Sequence, residues 1–230
     1  MEAIVLAGGL GTRLQSVISE IPKPMAPIDD QPFLFYILKW LEKNGIKKVI
    51  LSVGYKWEII YNKFGEHFNS IELVYSIEDL PLGTGGAISL AMKKLKDDKF
   101  FIINGDTLFD INLNDLLDYH LIGAYDFSIV LKPMINFDRY GSVEMDENNR
   151  IIRFNEKLPR KNGLINGGIY LANYSINKYF PSIEKFSFEN DFMEKMVNQL
   201  SFGGIVKDNY FIDIGIPEDY KRAQLELPKL

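Results

Sequence analysis

Leu6-Ala7-Gly8-Gly9-Leu10-Gly11-Thr12-Arg13-Leu14 follows directly on the apolar run Ala3–Leu6, and the reading of the fold turns on that junction. A run of apolar residues cut off by glycine reads as a short buried strand. Further runs of this kind recur at Val49–Val53, Leu73–Ser76, Phe100–Ile103 and Phe127–Leu131, each bounded by Gly, Pro, Asn or Asp. Between them lie apolar residues at helical spacing, Phe33, Ile37, Leu38 and Leu41, then Ala87, Leu90, Ala91 and Leu95, with Lys or Glu on the opposite side. Those are amphipathic helices. Strand and helix in alternation predict a parallel sheet with right-handed crossovers and helices on both faces. The glycine loop then stands at the C-terminal edge of a strand, where doubly wound folds bind their ligands.

After residue 135 the pattern shortens to Ser142–Met145, Ile151–Asn155 and Gly168–Leu171, with turns expected at Asp146–Asn149 and Pro159–Asn162. This half reads as antiparallel. Two helices are expected after it, Glu189–Leu200 and Pro217–Leu227; the second starts with Pro at a first-turn position and carries Glu218 and Asp219 at the positive end of its dipole. No linker, repeat or low-complexity tract separates the halves. The expected organisation is one α/β domain over 1–230, in two parts, 1–135 and 136–230, the second supplying a lid or substrate side.

Composition narrows the chemistry. The 230 residues carry 26 Lys+Arg against 31 Asp+Glu, a formal net charge of −5, which gives no general attraction for nucleic acid or an anionic membrane. Any polyanionic ligand must be met by local donors. With no cysteine, disulfides, thiolate metal sites and thiol nucleophiles are excluded. The first apolar run stops after about five residues, short of a signal-peptide core of roughly 7–15, and no stretch approaches the ~20 that span a bilayer. A cytoplasmic protein is expected. His67 and His120 have no partner at metal-ligand spacing and read as surface or capping residues. The aromatic clusters Phe33/Phe35/Tyr36/Trp40 and Tyr179/Phe180/Phe186/Phe188/Phe192 read as core or subunit contact, which leaves a homo-oligomer open.

The glycine loop has the makings of a phosphate cradle. Glycines let backbone N–H groups approach phosphate oxygens, and Arg13 offers a planar fork of donors. It is not a Walker loop, which needs Gly-Lys-Ser/Thr where this chain has Gly11-Thr12-Arg13, and its glycine spacing does not match G-x-G-x-x-G. A tight βα turn would equally account for it. In Ile21-Pro22-Lys23-Pro24-Met25 two prolines restrict the backbone around a second cation, suited to a phosphate or left as a solvated turn lysine. Asp106 in Asn104-Gly105-Asp106-Thr107 follows an apolar strand and should emerge at the same edge as the loop. Oxygen ligands beside a phosphate site suggest Mg²⁺. Asp213 likewise ends an apolar segment, and either Asp alone could be a turn or cap residue.

With Gly-Gly-x-Gly-Thr-Arg-Leu and Pro-Lys-Pro at this spacing, the sequence resembles the sugar-1-phosphate nucleotidyltransferases, the NDP-sugar pyrophosphorylase family. Pro81-Leu82-Gly83-Thr84-Gly85-Gly86-Ala87, Asn104-Gly105-Asp106, Glu156-Lys157, Asn166-Gly167-Gly168 and Asp213-Ile214-Gly215 appear in the family's order, so the resemblance covers essentially the whole chain. It implies a three-layer, Rossmann-like α/β fold with a mixed, mostly parallel sheet and a small antiparallel extension. It also implies an enzyme joining the α-phosphate of a nucleoside triphosphate to a sugar 1-phosphate. Arg13 and Lys23 are then the catalytic cations, and Asp106 and Asp213 hold Mg²⁺. Leu6, Ala7, Gly8, Gly9, Gly11, Thr12, Glu78, Gly83, Thr84, Asn104 and Gly105 face the nucleotide. Tyr140, Gly141, Glu156, Lys157, Asn166 and Gly167 face the sugar phosphate.

Among family members, the Gly83–Ala87 form and the short chain are most like bacterial guanylyltransferases acting on D-glycero-α-D-manno-heptose 1-phosphate. Glu78 could accept from the N1–H and N2–H₂ of guanine, which would favour GTP, or be a solvated loop carboxylate. Mannose 1-phosphate, a uridylyl or thymidylyl transfer, and a non-catalytic nucleotide-sugar sensor stay open as alternatives.

Overall fold

The computed structural model of the chain describes residues 1–9 and 21–229. In chain order the strands are β1 (Glu2–Leu6), β2 (Pro27–Ile28), β3 (Gln31–Pro32), β4 (Lys48–Val53), β5 (His67–Phe68), β6 (Ile71–Ile77) and β7 (Lys99–Asn104). They continue as β8 (Thr107–Phe109), β9 (Phe127–Phe137), β10 (Gly141–Met145), β11 (Ile151–Lys157), β12 (Arg160–Asn173), β13 (Phe202–Val206) and β14 (Phe211–Asp213). The helices are α1 (Phe33–Lys43), α2 (Trp57–Phe64), α3 (Gly83–Met92), α4 (Leu113–Ile122), α5 (Glu194–Met196) and α6 (Pro217–Glu226).

The parallel heart of the sheet is β7-β1-β4-β6, with Ile4 opposite Ile50 on one side and Ile102 on the other. Alternate residues of these strands feed two separate cores. Ala3, Val5, Leu51 and Ile103 pack with α1, α4 and α6, whereas Ile4, Ile50 and Ile102 pack with α3 and the aromatic residues near Phe188. Helices therefore cover both faces, and the architecture is three-layered. Helix α1 shows why: Phe33, Leu34, Ile37, Leu38 and Leu41 lie on one stripe and are fully buried, each contributing about 1.5–3 kcal/mol relative to exposure. The helix stops at Asn44, and Gly45 follows with φ +76°, a left-handed conformation that glycine adopts without penalty.

The second half joins the same sheet rather than forming a separate one. Strand β12 runs antiparallel to β7 through Ile169–Asn173, to β9 along most of its length, and to β10 at Leu164 and Ile165. β11 closes the far edge on β10, and β13 pairs parallel with β9. At the opposite end of β1 from the glycine loop, Lys48 Nζ donates to Glu2 Oε1 at 2.7 Å and to the Lys94 carbonyl at 2.7 Å. Glu2 Oε2 accepts the amides of Lys96 and Asp97. That buried pair anchors the N-terminal edge and leaves the C-terminal edge open.

Several expectations need correction. The helix expected over Glu189–Leu200 is a π-helical segment, Phe188–Met193, running into the single turn of α5. The wider winding lets Phe188, Phe192 and Met193 all reach the core, with the two rings stacked 5.1 Å apart. The turn expected at Pro159–Asn162 is already strand from Arg160, because Arg160 pairs with Phe137 and Asn162 with Ile135. The strand expected to open at Gly168 is the last part of the fourteen-residue β12. Helix α2 escapes sequence patterning because Ile60 is its one fully buried residue. His120 is buried rather than a surface residue; its Nδ1 is 2.8 Å from Ser128 Oγ and its Nε2 3.2 Å from Asn173 Oδ1.

Candidate active site

Strands β1, β4, β6 and β7 all end at one edge of the sheet, and the loops leaving them wall a cavity of about 560 Å³. Leu6, Gly8, Gly9, Lys23, Glu78, Gly83, Thr84, Asn104, Gly105 and Asp106 line it, together with Ser52, Gly54, Tyr55, Asp79 and Glu189, which sequence reasoning did not single out. A second cavity of about 730 Å³ is lined by Tyr140, Gly141, Glu156, Lys157, Asn166 and Asp213 from the second half, with Arg139, Gly168 and Glu194 beside them. Asn104, Asp106 and Glu189 line both cavities. Gly11, Thr12 and Arg13 lie outside the described residues.

Asp106 stands at the junction because β7 ends at Asn104 and the chain turns tightly at Gly105. There the Gly105 amide donates to the Leu6 carbonyl at 3.0 Å, and a Cβ on Gly105 would sit 2.3 Å from that same oxygen. Only glycine lets β7's exit press against β1. Asp213 reaches the junction from the far end of the chain through the β14–β8 ladder, in which it pairs with Thr107; the Ile214 amide donates to the Asp106 carbonyl at 2.9 Å. Lys23 Nζ donates to Asp106 Oδ2 at 2.6 Å. Tyr140 OH donates to Asp213 Oδ2 at 3.2 Å, and the Gly215 amide to Asp213 Oδ1 at 2.7 Å. Burial, reinforced by the charge of Asp106, raises the Asp213 carboxyl above the usual carboxylate range.

Two hard carboxylates held side by side, one destabilised as an anion, suit a divalent cation. Among the described residues no group of three His, Cys, Asp or Glu side chains is placed to hold a metal. The remaining ligands of such an ion would come from phosphate oxygens and water, as is usual for Mg²⁺.

On the first cavity's far wall, Glu78 is half-buried. Its Oε2 accepts from the Leu82 amide at 2.9 Å, and a Cβ on Gly8 would lie 3.0 Å from its Oε1. Burial raises the Glu78 carboxyl. Ala7 is placed differently from its neighbours: its side chain is in the core, its amide bonds to the Ser52 carbonyl at 2.8 Å, and it does not line the cavity.

On the second side, β12 slips register between Asn166 and Tyr170, a bulge of the kind that re-aims side chains near functional sites. Gly168, with φ +73°, turns toward Asn104 and lines the cavity, whereas Gly167 faces Phe109 and the Val130 carbonyl and does not. Asn166 Nδ2 donates to Tyr170 OH at 2.8 Å and its Oδ1 accepts the Gly168 amide, so its amide holds the bulge. Glu156 and Lys157 are exposed at the end of β11. Arg139 pairs with Asp219 of α6 at 2.7 Å, with its guanidinium 5.4 Å from the Tyr140 ring centre.

At the carboxyl end of the parallel sheet Asp106 borders both cavities and Asp213 the second, an arrangement suited to nucleotidyl transfer. The chain belongs to the nucleotidyl transferase family, whose match covers residues 2–229. It is 53% identical over 227 residues to a D-glycero-alpha-D-manno-heptose 1-phosphate guanylyltransferase of Aneurinibacillus thermoaerophilus, covering 99% of this chain and 98% of that one. Identity to the enzyme of the same description from Campylobacter jejuni is 50% over 220 residues, 96% of this chain and 97% of the relative. Among solved structures, HddC from Yersinia pseudotuberculosis complexed with GMP-PN superposes with a TM-score of 0.88 at 39% identity, covering 98% of both chains.

Proposed function

We propose that this chain transfers GMP from GTP to D-glycero-α-D-manno-heptose 1-phosphate, giving GDP-heptose and pyrophosphate for bacterial surface glycan synthesis in the cytoplasm. The observation that carries the reaction type is the junction itself, where Asp106 borders both cavities and is paired with Lys23 from the wall of the first. The choice of base and sugar draws on the near-full-length relatives. Glu78 accepts from the guanine N1–H and N2–H₂ edge, with Gly8, Gly9 and Gly83 admitting the nucleotide close to the backbone. Tyr140, Gly141, Glu156, Lys157 and Asn166 receive the sugar phosphate, Lys157 meeting its charge.

An oxygen of the sugar 1-phosphate attacks the α-phosphorus of GTP. A new O–P bond forms as the bond to the bridging oxygen of pyrophosphate breaks, and pyrophosphate leaves with that electron pair. With a second phosphate pKa near ~6 the nucleophile is already largely ionised at pH 7, so no general base is needed. Lys23, and Arg13 from the glycine loop, offset the charge on the triphosphate and hold it in line. Asp106 and Asp213 would hold Mg²⁺, which when bound supplies neutralisation of phosphate charge.

Incubating purified protein with Mg²⁺, each nucleoside triphosphate in turn and a panel of sugar 1-phosphates, with pyrophosphate as the readout, tests the reading. GTP with the heptose 1-phosphate is expected to turn over fastest. Strict preference for UTP removes the guanylyl assignment, faster turnover with mannose 1-phosphate removes the heptose, and no turnover with any pair favours a sensor.

A further inference from the structure

Glu189 is the contribution of the chain's second half to the place where the two cavities meet, lining both together with Asn104 and Asp106. Its Oε2 accepts the Thr84 hydroxyl at 2.9 Å and the Ser187 hydroxyl at 3.2 Å. Thr84 Oγ1 in turn accepts the Phe188 amide at 2.8 Å. Around this pair the backbones are joined directly: the Gly85 amide donates to the Phe186 carbonyl and the Phe186 amide to the Leu82 carbonyl, both at 3.0 Å. The start of α3, which lines the nucleotide cavity through Gly83 and Thr84, is therefore fastened to the segment that lines the sugar cavity through Glu189, Asn190 and Met193. A carboxylate has about four acceptor sites, and the two hydroxyls occupy two of them.

We infer that the Thr84–Glu189 clasp makes Glu189 a positioning residue that couples the two cavities, so that nucleotide bound under Thr84 sets the wall on which the acceptor sugar docks. The inference rests on the donor and acceptor assignment above. Its physical basis is linkage: a contact that one ligand orders, and that the other then finds already ordered, makes their binding mutually favourable. Neither residue needs to touch the reacting atoms.

The test is calorimetric titration of heptose 1-phosphate into the Mg²⁺-loaded protein with and without a non-hydrolysable GTP analogue, the analogue held at a concentration that its own titration shows to saturate each variant. The ratio of the two acceptor affinities measures coupling and cancels any direct effect on acceptor binding. In the wild type the analogue is expected to tighten acceptor binding at least about fivefold. Thr84→Val, at an exposed position, should bring the ratio to within about twofold of one, whereas Thr84→Ser restores it. Glu189→Gln, which keeps an oxygen for the Thr84 hydroxyl, should retain most of it. A ratio in Thr84→Val equal to that of the wild type overturns the clasp and leaves the substrate assignment standing. If neither ligand binds the wild type, the substrate assignment fails and the clasp with it.

Discussion

Glu78 shows how far one side chain's surroundings decide its use. A carboxylate two residues beyond the expected third strand reads in the sequence either as a guanine acceptor or as a solvated loop charge. In the folded chain it is half-buried against Gly8 and Gly54, its pKa raised by that burial. Accepting from two guanine donors requires the ionised form, and burial has moved ionisation upward from 4.5. As pH falls through the raised pKa the proton returns, and kcat/KM for GTP is expected to drop at a pH above that at which a free glutamate would titrate. Glu78→Gln should remove this limb of the profile and lower kcat/KM for GTP at pH 7 by about ten- to 150-fold, the loss of a charge-assisted hydrogen bond of about 1.5–3 kcal/mol. A pH–rate profile unchanged in the variant would take Glu78 out of base recognition. His120 illustrates the opposite case. A lone histidine at the end of an amphipathic stretch carries no sign in the sequence that its ring sits in the core; Asn173, whose Nδ2 donates to the Tyr125 carbonyl, presents the oxygen that makes Nε2 a donor.

At the scale of elements, the same residue type serves two ends. Gly9 lines the cavity at the strand ends, and among the described residues nothing lies within 4 Å of a Cβ built on it. Gly86, in the first turn of α3, would place a Cβ 2.2 Å from the Glu184 carbonyl oxygen, which is backbone and cannot swing aside. Gly86→Ala should therefore destabilise the protein by about 1–3 kcal/mol, seen as a Tm lower by roughly 2–4 °C per kcal/mol. Gly9→Ala should leave Tm unchanged while raising the KM for GTP. Equal Tm losses in the two variants would contradict this division. In the sequence Gly83-Thr84-Gly85-Gly86 belongs to a motif whose Gly83 and Thr84 are expected to face the nucleotide. The structure assigns Gly85 and Gly86 to contact with Phe186 and Glu184 instead, a pairing between distant segments that no local pattern encodes. Strands β1, β4 and β7 were legible because their residues are apolar on both faces, as buried parallel strands must be. The π-helical segment was not, since the spacing of Phe188, Phe192 and Met193 is equally that of an α-helix.

For the whole molecule, the question is how two halves come to share one reaction centre. Strand β12 stitches β7 to β9 and β10 and bulges at Asn166–Gly168, while the β14–β8 ladder returns Asp213 to Asp106. The motifs named the residues; their convergence is set by sheet topology, and only the structure displays it. If the two cavities pass GMP directly from one phosphate to the other, transfer is a single in-line displacement, with no nucleotidylated enzyme between substrates. Using GTP made chiral at the α-phosphorus by sulfur substitution, the configuration of the GDP-heptose product distinguishes the two courses. Inversion at phosphorus is the result predicted. Retention would mean two successive displacements through a covalent enzyme intermediate, and would contradict direct transfer across the junction.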